Sequence, residues 1–141
     1  MGYFPSDLPS PVPTEEDAPF WESLREGVLR FQQCADCRAF THPPALLCPR
    51  CQSEARIWAA APRIGILYSY TIVHRAAHPS VEQALPYNVA LVEFPECDGI
   101  RLIGNVAGVP PDALRIGMRL DVFLEPAGDF VVARFRPPAS H

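Results

Sequence analysis

The chain has 141 residues, enough for one ordinary domain or two small ones that share little core. It is 48% hydrophobic with a formal charge of −4, the wrong sign for a protein that lives on phosphate backbones, and its apolar runs are too short and interrupted to span a bilayer. All 12 basic residues are arginine, which removes Schiff-base chemistry and a lysine base from the available mechanisms.

The first residues (MGYFPSDLPSPVPTEED) show no basic region, apolar stretch or cleavage site, so no signal peptide and a cytoplasmic location are expected. In a reducing compartment the 5 cysteines favour metal binding over disulfides. Residues 1–13 carry proline at 5, 9, 11 and 13 and form a predicted extended arm, either disordered or laid on a partner. Residues 14–28 hold a short predicted helix over 18–26, with Pro19 in its first turn and Gly27 as its stop. Its apolar stripe is Phe20, Trp21, Leu24 and Val28. A helix this short needs cover, so these side chains anchor a partner surface or pack on the chain's own cysteine module.

Residues 29–61 are that module. Cys34-Ala35-Asp36-Cys37 and Cys48-Pro49-Arg50-Cys51 are two C-x-x-C pairs separated by ten residues that suit a hairpin between the knuckles. Each two-residue gap lets one tight turn aim both sulfurs at a single point, and two facing turns complete a tetrahedral thiolate shell. Zinc prefers such a soft shell, and four thiolates leave no position for water, so the site reads as structural. Iron is the alternative, because Cys48-Pro49-Arg50-Cys51 resembles a rubredoxin knuckle, although Gln52 stands where a rubredoxin has glycine. With four cysteines filling the shell, His42 reads as a surface residue.

Residues 62–137 read as strands. The runs are 64–76, 88–95, 100–107, 120–125 and 130–135, rich in β-branched and aromatic residues. Asp98-Gly99 is a hairpin signal, and Pro110-Pro111-Asp112 opens a short helical piece between the third and fourth strands. That plan is mainly β: a short N-terminal helix, a rubredoxin-like zinc ribbon and a five-stranded OB-fold barrel, with 138–141 as a tail. Period-two alternation places Ile66, Tyr68, Tyr70, Ile72 and His74 on one face of the first strand. Cys97 sits among acidic neighbours that suppress thiolate and reads as a passive thiol. Arg75, Arg101, Arg115, Arg134 and Arg136 are candidates for phosphate contacts.

These pieces, in order, resemble a known family. They are Phe20–Gly27, the ribbon Cys34–Cys51 with Pro43-Pro44 inside it, Gly65–Arg75, Pro86–Glu93 and Ile116–Leu120. The sequence resembles the zinc-ribbon/OB-fold acyl-CoA-associated proteins catalogued as domain of unknown function thirty-five, over about residues 14–137. The resemblance implies a non-catalytic accessory subunit in a hetero-oligomer with a thiolase-like or aldolase enzyme, or a hot-dog-fold hydratase. The partner supplies the catalytic residues, and no membrane is involved. It also implies one structural Zn2+ on Cys34, Cys37, Cys48 and Cys51, partner contacts at Phe20, Trp21 and Leu24, and an acyl-CoA lining from Tyr68, Tyr70, His74, Arg75 and Tyr87. No hydratase or thiolase domain is fused within these residues, so the partner is expected on a separate chain. The alternative is a single-stranded nucleic-acid-binding zinc-ribbon/OB-fold module, against which the net charge and missing lysine count.

Overall fold

The computed structural model describes residues 2–5 and 7–139. Of the predicted arm and tail, residues 1, 6, 140 and 141 lie outside the described residues.

Helix α1 runs Ala18–Arg25. It ends because Gly27 adopts φ 86°, which lets Gly27 N–H donate to Leu24 O at 3.0 Å and Val28 N–H to Ser23 O at 3.0 Å, the paired bonds of a Schellman stop. Strands β1 (Arg30–Cys34), β2 (Phe40–Thr41) and β3 (Arg56–Ala60) form an antiparallel sheet in the order β2-β1-β3. The predicted hairpin between the knuckles is not there: the first knuckle is itself the turn joining β1 to β2. The ten residues between the pairs are tied down differently. The Gln32 side-chain amide donates to Ala45 O at 3.0 Å and accepts from Ala45 N–H at 2.9 Å, imitating one rung of a sheet.

Strands β4 (Ile64–Val73), β5 (Tyr87–Phe94), β6 (Ile100–Gly104), β7 (Arg119–Ala127) and β8 (Phe130–Arg136) make a second, five-stranded sheet in the order β6-β5-β4-β7-β8. Just past β6, Val106 pairs in parallel with Phe135, and Ala107 N–H donates to Phe135 O at 2.8 Å, so the sheet curls into a nearly closed barrel. Gly104 permits this: a Cβ there would lie 2.7 Å from the Phe135 ring. The short helical piece between the third and fourth barrel strands is a 3-10 turn at Pro111–Ala113. Asp98-Gly99 closes a longer connection than a two-residue hairpin. A 3-10 turn at Pro95–Cys97 precedes it, and Asp98 and Gly99 take φ 59° and 72°.

One apolar core joins the parts. Phe31 of β1 is fully buried, its ring centroid 6.4 Å from Phe20 of α1 and 5.1 Å from Phe94 of β5. Phe20 and Leu24 are therefore interior residues, at 5% and 1% exposure, and the helix packs on its own ribbon and barrel. Trp21 is half-buried with its ring edge-on to Phe130 at 5.8 Å.

The arm lies on this chain's own barrel. Tyr3 N–H donates to Glu125 Oε1 at 3.1 Å, the Tyr3 hydroxyl accepts from Asn88 N–H at 3.3 Å, and Phe4 meets the Tyr87 ring at 5.0 Å. Beneath the arm is a polar network. Arg134 Nε donates to Glu125 Oε2 at 3.0 Å and Arg134 Nη1 to Asn105 Oδ1 at 2.7 Å. The Asn88 side chain exchanges bonds of 2.8 and 2.7 Å with the Val106 backbone, fixing the segment that closes the barrel. The Arg134 and Glu125 side chains are 11% and 14% exposed, so removing one leaves the other's charge stranded. Arg134→Ala is expected to cost about 3–5 kcal/mol in urea unfolding, and the pair Arg134→Met with Glu125→Gln much less. A double variant as damaged as the single would show that the charges themselves do not matter.

Candidate metal centre and acyl-CoA surface

The two knuckles are built alike. Arg38 N–H donates to Cys34 O at 3.0 Å and Gln52 N–H to Cys48 O at 2.8 Å, closing each tight turn. Arg38 and Gln52 both take left-handed backbone, φ 68° and 64°. Gln52 thus adopts the conformation for which a glycine is usual, at a modest local cost. Within each turn a backbone N–H points at a sulfur: Cys37 N–H to Cys34 Sγ and Arg50 N–H to Cys48 Sγ, each at 3.4 Å.

The four sulfurs lie within 4.8 Å of one another, with Cys34–Cys51 and Cys37–Cys48 each 3.6 Å apart. A tetrahedral shell with metal–sulfur bonds of ~2.3 Å needs sulfur–sulfur edges of about 3.8 Å, so the cluster fits one ion with side-chain shifts of about 1 Å or less. The N–H groups favour the thiolate at two of the four sulfurs. The Cys37 N–H leads the effects that lower the Cys34 thiol to about 6, and the Cys51 N–H leads those that lower Cys48. Burial and the neighbouring sulfurs instead raise Cys37 and push Cys51 up to about 12. Among the described residues, those buried around the cluster are Cys34, Ala39 and Cys48, with Cys37 packed against them, so the metal stands in for a core.

His42 is not the expected surface residue. Its ring sits 5.1 Å from Phe20 and 5.3 Å from Phe31, and its buried Nδ1 finds no partner among the described residues. Burial holds the imidazole down to about pH 4, against a weaker upward pull from Asp17. Below its ordinary pKa of about 6.5 the unfolded chain takes up a proton that the folded chain refuses. Stability contributed by neutral His42 is therefore complete above about pH 6.5 and falls progressively down to about pH 4, by at most about 3 kcal/mol. Replacing His42 with phenylalanine should flatten that slope in urea titrations; an unchanged slope would assign it to other groups.

The five residues expected to line an acyl-CoA do not converge. A β-bulge interrupts β4 where it pairs with β5: Leu67 faces Val92, Ser69 faces Leu91, and Tyr68 is the extra residue. It reverses the alternation, so the single face expected for Ile66 to His74 is split. Tyr68 turns outward, 44% exposed, with the Arg101 guanidinium 3.7 Å above its ring. Tyr70 and Ile72 turn inward against the core. His74 and Arg75 are exposed beyond the far end of β4, roughly 20 Å along the strand from Tyr68. Tyr87 lies under Phe4.

Of the phosphate-contact candidates, Arg134 is consumed by Glu125 and Asn105, and Arg115 donates to Asp112 O and Leu114 O at 2.7 and 2.8 Å. Arg136 lies over the Phe123 ring and borders a shallow groove with Arg63 and Arg119, two arginines that sequence spacing does not connect. Glu96 and Asp121 share that groove, which breaks any continuous basic track of the kind a nucleic acid needs. Cys97 is 1% exposed, and burial, with Glu96 and Asp98 beside it, pushes its thiol to about 11. Asp98 has a different use: its carboxylate accepts Phe40 N–H at 2.9 Å, tying the ribbon to the barrel.

A four-cysteine ribbon leading through a shared core into a five-stranded barrel defines a zinc-ribbon/OB-fold protein. Residues 21–55 match the ChsH2 rubredoxin-like zinc ribbon domain and residues 58–124 the ChsH2 C-terminal OB-fold domain. The chain belongs to this ChsH2, or DUF35, family. Among solved structures it is similar to a chain of the "Ltp2-ChsH2(DUF35) aldolase", with TM-score 0.83 and 36% identity over 91% of this chain and 98% of that one. A DUF35 protein of unknown function from Sulfolobus solfataricus shares the fold at TM-score 0.60 and 18% identity, over 88% of this chain and 86% of that one. Two curated relatives are the "Probable enoyl-CoA hydratase alpha subunit" of Thermomonospora curvata, 37% identical over 92% of this chain, and the "3-oxo-4,17-pregnadiene-20-carboxyl-CoA hydratase alpha subunit" of Mycobacterium tuberculosis, 28% identical over 81%. The chain spans only 40% and 35% of the length of those two relatives. No helix among the described residues is long and apolar enough to cross a membrane.

Proposed function

We propose that this chain is the non-catalytic accessory subunit of an acyl-CoA-processing complex of the thiolase-like aldolase type, where it stabilises its partner and helps to enclose the acyl-CoA. The observation that carries this reading is the nearly end-to-end match to a chain of the Ltp2–ChsH2 aldolase, which covers 98% of that chain. The chemistry of the residues agrees. Four thiolates close the metal shell, which suits a structural ion. Cys97, the thiol a thiolase-type nucleophile would need, is buried and held protonated.

Partner contact through the helix is confined to Trp21, since Phe20 and Leu24 face inward. Contact with the acyl-CoA itself falls to the exposed residues of the expected set, Tyr68, His74 and Arg75. The hydratase reading is second. The names of the two curated relatives favour it, but this chain matches much less of their length than of the aldolase chain.

The test is reconstitution with the thiolase-like chain of the same host. Aldol cleavage of an acyl-CoA is expected from the mixture and not from this chain alone, with His74→Ala in this chain raising KM for the acyl-CoA but leaving kcat within about twofold. Turnover by this chain alone, abolished by His74→Ala, would overturn the accessory role.

A further inference from the structure

The proline-rich arm is a strap held at two points. At one end Tyr3 and Phe4 are pinned to Glu125, Asn88 and Tyr87, with the Arg134 guanidinium 5.6 and 5.4 Å from their ring centroids. At the other, Ser10 reaches the β7–β8 turn, its Oγ 3.6 Å from where a Gly128 Cβ would stand. That turn is itself fixed to α1, because Arg25 Nη2 donates to Asp129 O at 3.2 Å.

Between the two anchors the strap does not lie flush. It roofs a cavity of about 880 Å³ whose floor is β7, β8 and the edge of the 3-10 turn Pro79–Ala84. The cavity is half open to solvent, and its volume lies within the range of about 300 to 1,000 Å³ of pockets for small molecules. Phe4, Leu8, Pro11, Pro126, Val132 and Ala84 give the walls an apolar character. The charges on the lining, Glu125 and Arg134, are paired with each other and so present nearly no net charge to an occupant. A phosphate or a carboxylate would meet a neutralised arginine and a carboxylate; a hydrocarbon body would gain from the walls.

We infer that the cavity beneath the N-terminal strap is a binding site for a neutral, mainly hydrocarbon group of lipid or fused-ring size, with residues 3–5 and 8–11 as its removable wall. Proline at 5, 9 and 11 stiffens the strap and lowers the entropy lost when it closes. The group arrives either as a free lipid, which needs no partner chain, or as the acyl portion of a thioester, which rests on the acyl-CoA reading above.

The test titrates the whole chain with N-phenylnaphthylamine, a neutral apolar fluorophore, and then competes the bound probe. A single saturable phase is expected. Val132→Trp fills the cavity and Leu8→Asp charges its roof, and each should weaken the probe about tenfold or more, equivalent to about 1.4 kcal/mol. Ile103→Ser, which removes an exposed apolar side chain on the outer barrel face, should leave binding unchanged. Displacement by a sterol or long-chain alcohol supports a free lipid, and displacement by acyl-CoA but not by CoA supports the acyl portion of a thioester. Unsaturable binding, undiminished binding in both cavity variants, a loss in Ile103→Ser equal to theirs, or displacement by CoA lacking an acyl group would each overturn the inference.

Discussion

Cys48→Ser is expected to unfold the ribbon while leaving barrel strands β4 to β8 paired. A structural zinc contributes about 10–16 kcal/mol of apparent folding free energy in small ribbons near neutral pH, and here little else holds the knuckles. Around the sulfurs the buried set is Cys34, Ala39 and Cys48, an apolar core far too small to order residues 34–55 by burial. Ribbon and barrel nevertheless share Phe31 and the Asp98–Phe40 bond, so metal loss loosens the barrel's contact with α1 as well. Hydrogen exchange followed peptide by peptide should show protection lost across residues 34–55 and kept in β5. Zinc content should drop from about one per chain to near zero. Acidification should do the same reversibly, because the ion competes with protons for the thiolates. Full protection of the ribbon in a metal-free variant would refute the structural role.

Phe31→Ala should be the most damaging single change in the apolar core. The ring is fully buried and touches all three parts of the molecule: Phe20 from the helix, His42 from the ribbon and Phe94 from the barrel. Truncating a buried phenylalanine costs about 3–5 kcal/mol, the larger values arising where neighbours cannot collapse into the gap. Collapse is hindered here because the knuckles pin β1 on one side and the closed barrel pins β5 on the other. Domain stabilities run to about 5–15 kcal/mol, so the variant should melt well below the parent and α1 should detach first. Circular dichroism melts give the size of the loss, and exchange at α1 gives its place. A loss under about 1 kcal/mol would mean that Phe31 does not join helix, ribbon and barrel through one shared core.

How much of this was legible follows the range of the interactions. The C-x-x-C pairs, the Gly27 stop and the alternating run of β5 (Asn88–Phe94) are local signals, and the structure realises each. The bulge at Tyr68 was not legible: a strict two-residue period has no place for an extra residue, and the insertion shows only through the partner strand. His42 lies in a polar-looking loop (Thr41-His42-Pro43-Pro44), yet tertiary packing wedges it between two phenylalanines. The strap could not be foreseen from composition. Prolines predict an extended segment, but its docking depends on Glu125 and Arg134 more than a hundred residues away in sequence. One signal pointed there. Asn88 interrupts an otherwise apolar strand, and a buried side-chain amide in such a run needs partners; here they are the Val106 N–H and C=O, while the Asn88 backbone N–H is the group that donates to the Tyr3 hydroxyl.

The candidate acyl-CoA residues show the same limit. The resemblance implies a lining from Tyr68, Tyr70, His74, Arg75 and Tyr87, of which strand alternation puts Tyr68, Tyr70 and His74 on one face. The bulge and the strap distribute them over an outer face, a core face, a strand end and a covered surface.

The accessory-subunit reading is tested most directly by isolating the tagged chain from its own host and identifying by mass spectrometry what co-elutes with it. A thiolase-like aldolase chain in stoichiometric amount is the predicted result. Elution of this chain alone, or with nucleic acid and ribosomal proteins, would contradict it.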